Sequence, residues 1–157
     1  MSRIKILITD DSTSTRMLIH ELLKKSCFAQ SEIMEADNGK TALEILEKER
    51  VDLLLSDWLM PDLNGKDLIR MIRQNPELKD ISIIMITKEK TIEKMEEALA
   101  LDIDNFMGKP FTLLELERKI FNTQAAKKYF GWKYSLKSLQ RKIFKNKEFI
   151  SDDGVLE

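Results

Sequence analysis

The sequence predicts a doubly wound α/β domain. Five short segments rich in β-branched and apolar residues alternate with five longer helical patterns, and the third and fourth short segments are almost unbroken apolar runs. A strand of a parallel sheet reads that way because helices cover both of its faces. A third observation is where polarity returns: the strand tips carry acids, a threonine and a lysine, at the carboxyl ends where such sheets open their crevice.

In order, residues 4–9 form the first strand, followed by Asp10-Asp11-Ser12 and a helix over 13–25 with Met17, Leu18 and Leu22 at helical spacing. The second strand, 32–36, precedes a helix over 40–49 that presents Ala42, Leu43 and Leu46. The third strand, 51–56, delivers Asp57 at its tip, and Pro61 and Gly65 then turn the chain into a helix over 66–75. The fourth strand, 81–87, ends on Thr87 and leads through Lys88 to a helix over 91–101. The fifth, 105–108, stops before Lys109-Pro110, and a helix runs from 112 through 122 and onward. Right-handed crossovers between these units give a five-stranded parallel sheet of flavodoxin-like order 2-1-3-4-5, with a C-terminal helical extension.

At 157 residues the chain suits one compact domain with a modest appendage. Hydrophobic and charged fractions of 43% and 34% describe a globular protein, not a disordered one. No apolar stretch approaches the roughly 20 residues that span a bilayer. The N-terminus runs straight into a strand-like segment, so a cytoplasmic address without a transmembrane segment is expected. Cys27, the single cysteine, excludes an internal disulfide and reads as a small core hydrophobe near the end of the first helix. The net charge of −1 conceals a division. Residues 1–124 carry 18 Lys and Arg against 23 Asp and Glu, a balance of −5; residues 125–157 carry 8 against 4, a balance of +4. The chain is therefore divided into an acidic body, 1–124, and a basic, aromatic-rich extension, 125–157.

The chemistry lies in the order of the strand tips. Neighbours on a strand point to opposite faces, but the turn into a helix at Ser12-Thr13 lets Asp10 and Asp11 enter one crevice. Asp11 or Ser12 also has the chemistry of a helix cap. With Asp57 at the adjacent tip three carboxylates converge, and their repulsion calls for a hard cation. Mg²⁺, with Mn²⁺ as a substitute, takes oxygen ligands and binds through carboxylates and phosphate oxygens. The Thr87 hydroxyl offers a donor to a phosphate oxygen, and Lys109 offers a point charge. A cis Lys109–Pro110 bond would aim that ammonium back across the strand ends. An aspartate so placed attacks phosphorus to form an acyl phosphate. Gly39-Lys40, Gly65-Lys66 and Gly108-Lys109 lack the preceding glycine of a phosphate-binding loop, which argues against nucleotide binding.

The segments Ile6-Leu7-Ile8-Thr9-Asp10-Asp11-Ser12, Asp57-Trp58-Leu59-Met60-Pro61 through Gly65, Met85-Ile86-Thr87 and Lys109-Pro110-Phe111 resemble the receiver domain of bacterial two-component response regulators. The resemblance implies Asp57 as phosphoacceptor, with Asp10, Asp11, Asp57 and the Leu59 backbone carbonyl as metal ligands. It implies Thr87, Lys109 and the backbone amides of Trp58 and Lys88 as phosphate contacts, with Pro61, Gly65 and Pro110 shaping the turns. It also implies a switch through Thr87 and Phe106, the latter standing where the family often carries an aromatic with a hydroxyl. The partners so implied are a sensor histidine kinase or phosphotransfer protein, and a downstream protein that docks on the face containing Phe106. Two departures are expected to tune rate. Lys88 follows Thr87 where the family usually places a small residue, and Leu59 has no group to orient a hydrolytic water, so self-dephosphorylation should be slow. Trp58 is expected to shield the phosphate, and His20 to be a surface residue remote from the acids.

From Ala125 to Lys147 eight basic residues occur without an acid, interleaved with Tyr129, Phe130, Trp132, Tyr134 and Phe144. Leu136, Leu139 and Ile143 share one helical face. A helix packed on the last receiver helix, a protein-binding amphipathic segment, and contact with nucleic acid or a membrane surface all suit this pattern. The extension is too short for a winged-helix output domain. We read the whole as a stand-alone chemotaxis-type regulator, a self-phosphorylating switch that turns over no metabolite. One rival is the receiver part of a larger regulator whose DNA-binding or enzymatic output domain is missing. Another is a Mg²⁺-dependent phosphohydrolase with Asp57 as nucleophile, against which the lack of a second acid suited to acid–base work speaks.

Overall fold

The computed structural model describes residues 3–131. The expectations placed on the tail from Trp132 onward, including the shared face of Leu136, Leu139 and Ile143, lie outside the described residues. Five strands, β1 (Lys5–Thr9), β2 (Glu32–Ala36), β3 (Leu53–Ser56), β4 (Ser82–Thr87) and β5 (Asn105–Gly108), form one parallel sheet in the order β2-β1-β3-β4-β5. The helices are α1 (Thr13–Lys24), α2 (Gly39–Lys48), α3 (Gly65–Gln74), α4 (Ile92–Ala100), α5 (Leu113–Phe121) and α6 (Gln124–Phe130). The expected flavodoxin-like architecture is present, with a helix after the fifth unit. Among the described residues no helix is long and apolar enough to cross a membrane.

The central strands owe their composition to burial on two sides. Every residue of β3 and β4 is buried, and their side chains alternate between two cores as the two-residue period of a strand requires. Ile6, Ile8, Leu53, Leu55, Ile84 and Ile86 face a core shared with α1, α5 and α6. Leu7, Leu54, Ile83 and Met85 face one shared with α2, α3 and α4. The edge strands β2 and β5 are only partly buried.

The helices begin where a side chain caps them. Ser12, Asn38, Asn64, Thr91, Thr112 and Thr123 each accept a hydrogen bond from the amide three residues on, satisfying a donor with no intrahelical partner. This sets α2 and α3 one residue earlier than predicted, at Gly39 and Gly65, and α4 and α5 one residue later. β3 is shorter at its start than the predicted 51–56, because the Asp52 carboxylate takes the Lys5 amide at 2.8 Å in place of a ladder rung.

Two helical expectations need correction. Met17 and Leu18 of α1 are exposed, and the buried stripe is Ile19, Leu22 and Leu23. The sheet selects the face, and apolar residues beside that stripe remain in water. The last helix does not continue past 122. α5 ends at Phe121, and Thr123 starts a separate α6 by donating its hydroxyl to Ile120 O (2.6 Å) while accepting the Ala126 amide (3.2 Å). Ala125 and Ala126 are buried in the first core, and the Ala125 amide bonds Ser82 Oγ at 3.1 Å. Phe130 stacks against Phe28 and Phe121 with ring centroids 5.6 and 5.3 Å away, a geometry favourable for aromatic pairs.

Gly65 is required by a close approach. A Cβ there would lie 2.2 Å from the Asp57 carbonyl oxygen and 3.0 Å from Trp58 Cα. Gly65→Ala should therefore lower the unfolding free energy by about 1–3 kcal/mol, the usual cost of overpacking. Urea denaturation measures this, and an unchanged midpoint with unchanged slope would contradict the account.

Candidate functional site

The sheet register builds the site before any side chain is considered. Thr9 is level with Ser56 across β1 and β3, so the next residues, Asp10 and Asp57, emerge side by side. The Asp57 amide donates to Thr9 O at 2.9 Å and the Asp10 amide to Ala36 O at 3.1 Å, which fixes both backbones at the carboxyl ends of the strands. Asp10 is buried and Asp11 exposed, and one carboxylate oxygen from each of Asp10, Asp11 and Asp57 lies within 4.8 Å of the others.

Lys109 reaches this cluster from the tip of β5. Its ammonium donates to Asp10 Oδ2 at 2.5 Å and to Asp57 Oδ2 at 3.0 Å. The Lys109–Pro110 bond is cis. Asp57 Oδ1 accepts the Trp58 amide at 2.6 Å and Asp10 Oδ1 accepts the Ser12 amide at 2.8 Å. Ser12 is the cap of α1, which resolves the open alternative and leaves Asp11 outside that role.

Thr87 is buried at the tip of β4, between β3 and β5, and its Oγ1 accepts the Glu89 amide at 3.2 Å. Lys88, next to it, is exposed. Leu59 is 55% exposed at the rim. Phe106 is half-buried in β5 and packs against the α2–α4 core. The Trp58 indole, expected to shield the phosphate, is only 3% exposed and belongs to that same core. His20 is half-buried, with Nδ1 3.6 Å from Glu35 Oε2, away from the carboxylate cluster. A cavity of about 300 Å³ lies at the opposite ends of the strands, lined by Arg3, Arg50, Asp52, Asp80 and Tyr129.

The three carboxylates and one ammonium carry a residual charge of −2, and all the donor atoms are hard oxygens. That set suits a divalent ion of the Mg²⁺ kind. Burial pushes the Asp10 carboxyl above its usual range despite its bonds to Lys109 and Ser12, and the neighbouring Asp57 adds to the rise. For Lys109 burial acts downward, but the bonds to Asp10 and Asp57 outweigh it and hold the ammonium above its ordinary 10.5. Lys109 is therefore charged at physiological pH, and the stability it contributes is lost only above that value.

The residues at these tips decide the family: a response regulator receiver domain model matches residues 6–121. This chain belongs to the response regulator receiver family. The receiver is 39% identical over 116 residues to chemotaxis protein CheY-3 of Vibrio cholerae, covering 74% of this chain and 88% of that one. It is 38% identical over 116 residues to chemotaxis protein CheY of Pseudomonas aeruginosa, covering 74% and 92%. Among solved structures it resembles chemotaxis response regulator CheY4 of Vibrio cholerae, with TM-score 0.67, 32% identity and coverage of 75% and 99%. A response regulator receiver protein from Pseudomonas putida aligns with TM-score 0.69, 26% identity and coverage of 76% and 97%. The receiver is thus CheY-like in sequence and fold.

Two residues at the edge of the site escaped sequence reasoning. Arg16 donates to the Asp10 carbonyl at 2.6 Å, and Lys94 places its ammonium 5.4 Å from the centre of the Trp58 ring. Arg16 left one signal, a cation in the first turns of a helix, where anions are favoured. Lys94 left none, because its contact joins the first turn of α4 to the loop after β3, segments far apart in the sequence.

The raised Asp10 pKa has a stability consequence. Between the unfolded value near 3.8 and the higher folded value the native state holds a proton that the unfolded chain has released, so stability falls as pH rises through that window. Without divalent cation, Asp10→Asn should melt above the parent at pH 7, with the gap closing as pH approaches 3.8. Thermal melts across that range check this, and a lower melting temperature for the variant at pH 7 would contradict it.

Proposed function

We propose that the chain is a phosphorylation-activated switch in a two-component relay, with Asp57 as phosphoacceptor. The observation that carries the reading is the convergence on Asp57 of Lys109 at 3.0 Å and of Asp10 and Asp11, whose oxygens lie within 4.8 Å. Asp10, Asp11, Asp57 and the Leu59 carbonyl would hold Mg²⁺, or Mn²⁺ in its place, and the ion supplies charge neutralisation to the transferring phosphoryl group.

The reaction asks mostly for positioning. A carboxylate oxygen of Asp57 bonds to phosphorus as the P–N bond of a partner's phosphohistidine breaks, and the imidazole leaves with the bonding pair. Lys109, already shared between Asp10 and Asp57, balances the negative charge on the phosphoryl oxygens. The Thr87 hydroxyl, which now accepts from Glu89, keeps its own proton to donate to that group. The amides of Trp58 and Lys88 flank it. Drawing Thr87 toward phosphate frees space into which Phe106 turns, biasing an existing equilibrium by ~1–3 kcal/mol.

The downstream protein docks beside Phe106. α4 presents Ile92, Met95 and Leu99, 73%, 41% and 60% exposed, as an apolar stripe next to β5, and such a stripe at a water-facing helix suits a partner. The names of the relatives support a stand-alone chemotaxis-type regulator, since the receiver spans 88% and 92% of their lengths. A sensor histidine kinase or a phosphotransfer protein is the donor.

Incubation with acetyl phosphate and Mg²⁺ should add one phosphoryl group at an acid-stable, base-labile site, and Asp57→Asn should abolish it. Labelling of that variant at such a site would refute the assignment. Leu59 cannot orient water by hydrogen bonding, so the phosphorylated form should decay slowly, and Leu59→Asn should shorten its half-life about 10-fold, less than a full general base supplies. Decay followed by phosphate release tests this; an unchanged half-life in the variant removes Leu59 from rate control.

A further inference from the structure

We propose that Arg16 is a positioning residue for the metal-binding segment, tying the Asp10 peptide to the tip of β2 so that Mg²⁺ affinity depends on it. The inference rests on the reading of the acidic cluster as a Mg²⁺ site. Its basis is a three-point contact. Arg16 Nη1 donates to the Asp10 backbone oxygen at 2.6 Å, Nη2 to Thr13 Oγ1 at 3.3 Å, and Nε lies 3.4 Å from Glu35 Oε1.

The Asp10 oxygen lies beyond the last rung of the β1 ladder, which ends at Thr9. Among the described residues the guanidinium is the side-chain donor that reaches it. On the other side of the same residue, the Asp10 amide donates to Ala36 O at 3.1 Å. Both main-chain groups of Asp10 are thereby anchored to consecutive residues of β2, the carbonyl through Arg16 to Glu35 and the amide to Ala36 directly. With its backbone held at both ends, Asp10 has its carboxylate aimed at Lys109 and Asp57.

Charge supports the same conclusion. A cation near a helix N-terminus opposes the helix dipole, and α1 has no acid in its first turn. Departures of this sort from local preference are expected at functional positions. Glu35 neutralises the guanidinium, so Arg16 does not compete with a cation at the carboxylates, and His20 Nδ1 holds the other Glu35 oxygen at 3.6 Å. A planar guanidinium satisfies three acceptors at once; an ammonium on a flexible stem does not.

The test is calorimetric titration of the full chain with Mg²⁺ alone, alongside thermal melts. Arg16→Met should weaken Mg²⁺ binding about 10-fold, at the low end for residues that orient metal ligands. Arg16→Lys should fall between the two. Glu35→Gln should weaken binding in the parent but add nothing in the Arg16→Met background, because it acts through Arg16. A merely structural role lowers the melting temperature and leaves the affinity of the folded protein unchanged. Unchanged affinity in Arg16→Met, or full additivity with Glu35→Gln, overturns the inference. If Arg16→Met does not fold, Arg16→Lys carries the same comparison. Failure of the unsubstituted chain to bind Mg²⁺ would sink the functional reading itself, whereas normal binding by both it and Arg16→Met sinks this inference alone.

Discussion

Three carboxylates emerging from two neighbouring strands would drive each other apart if nothing stood between them. Lys109 bridges Asp10 and Asp57 with a single ammonium at 2.5 and 3.0 Å, and the rest of the site is arranged around that bridge. It comes from β5, separated from β3 by β4, so a long side chain has to cross a whole strand tip to make it. A shorter cation at that position would leave the acids unbalanced. The bridge also leaves a residual charge of −2, so the arrangement is complete as a fold while remaining attractive to a divalent ion.

The site is held at a cost that the sheet absorbs. Asp10 holds its carboxyl in a buried position that raises its pKa, a local penalty of the sort found where function and stability compete. The approach of Gly65 to the Asp57 carbonyl is another local constraint, tolerable only without a Cβ. Both are sustained by central strands whose every residue is buried and by helices capped at their starts. Rigid strands fix the Asp57 carboxylate at the carboxyl edge of the sheet, while α4 keeps an exposed apolar stripe of Ile92, Met95 and Leu99.

Much of the fold was legible because its determinants are local. The unbroken apolar runs of β3 and β4 identify buried parallel strands, and helical spacing with turn residues places the starts of α2 to α5 to within one position. What was misread depended on neighbours. Met17 and Leu18 are apolar but face water, since the α1 stripe is chosen by the sheet beneath it. The break between α5 and α6 hinges on one hydroxyl, that of Thr123, serving both helices, and composition alone makes the segment look continuous. Arg16 gave little sign because its partners, Asp10 O just past the end of β1 and Glu35 on β2, meet only in the folded sheet.

The amino-acid sequence by itself determined which segments become strands and helices and which polar residues end the strands, since periodicity and turn residues act over a few positions. Only the tertiary structure decided that Lys109 meets residues 99 and 52 positions earlier. It also decided that Trp58 is buried beneath Lys94, and that Asp10 is anchored through Arg16. Those meetings follow from strand order and register. Order and register are settled by the packing of the whole sheet between its two helical layers, and no single segment encodes them.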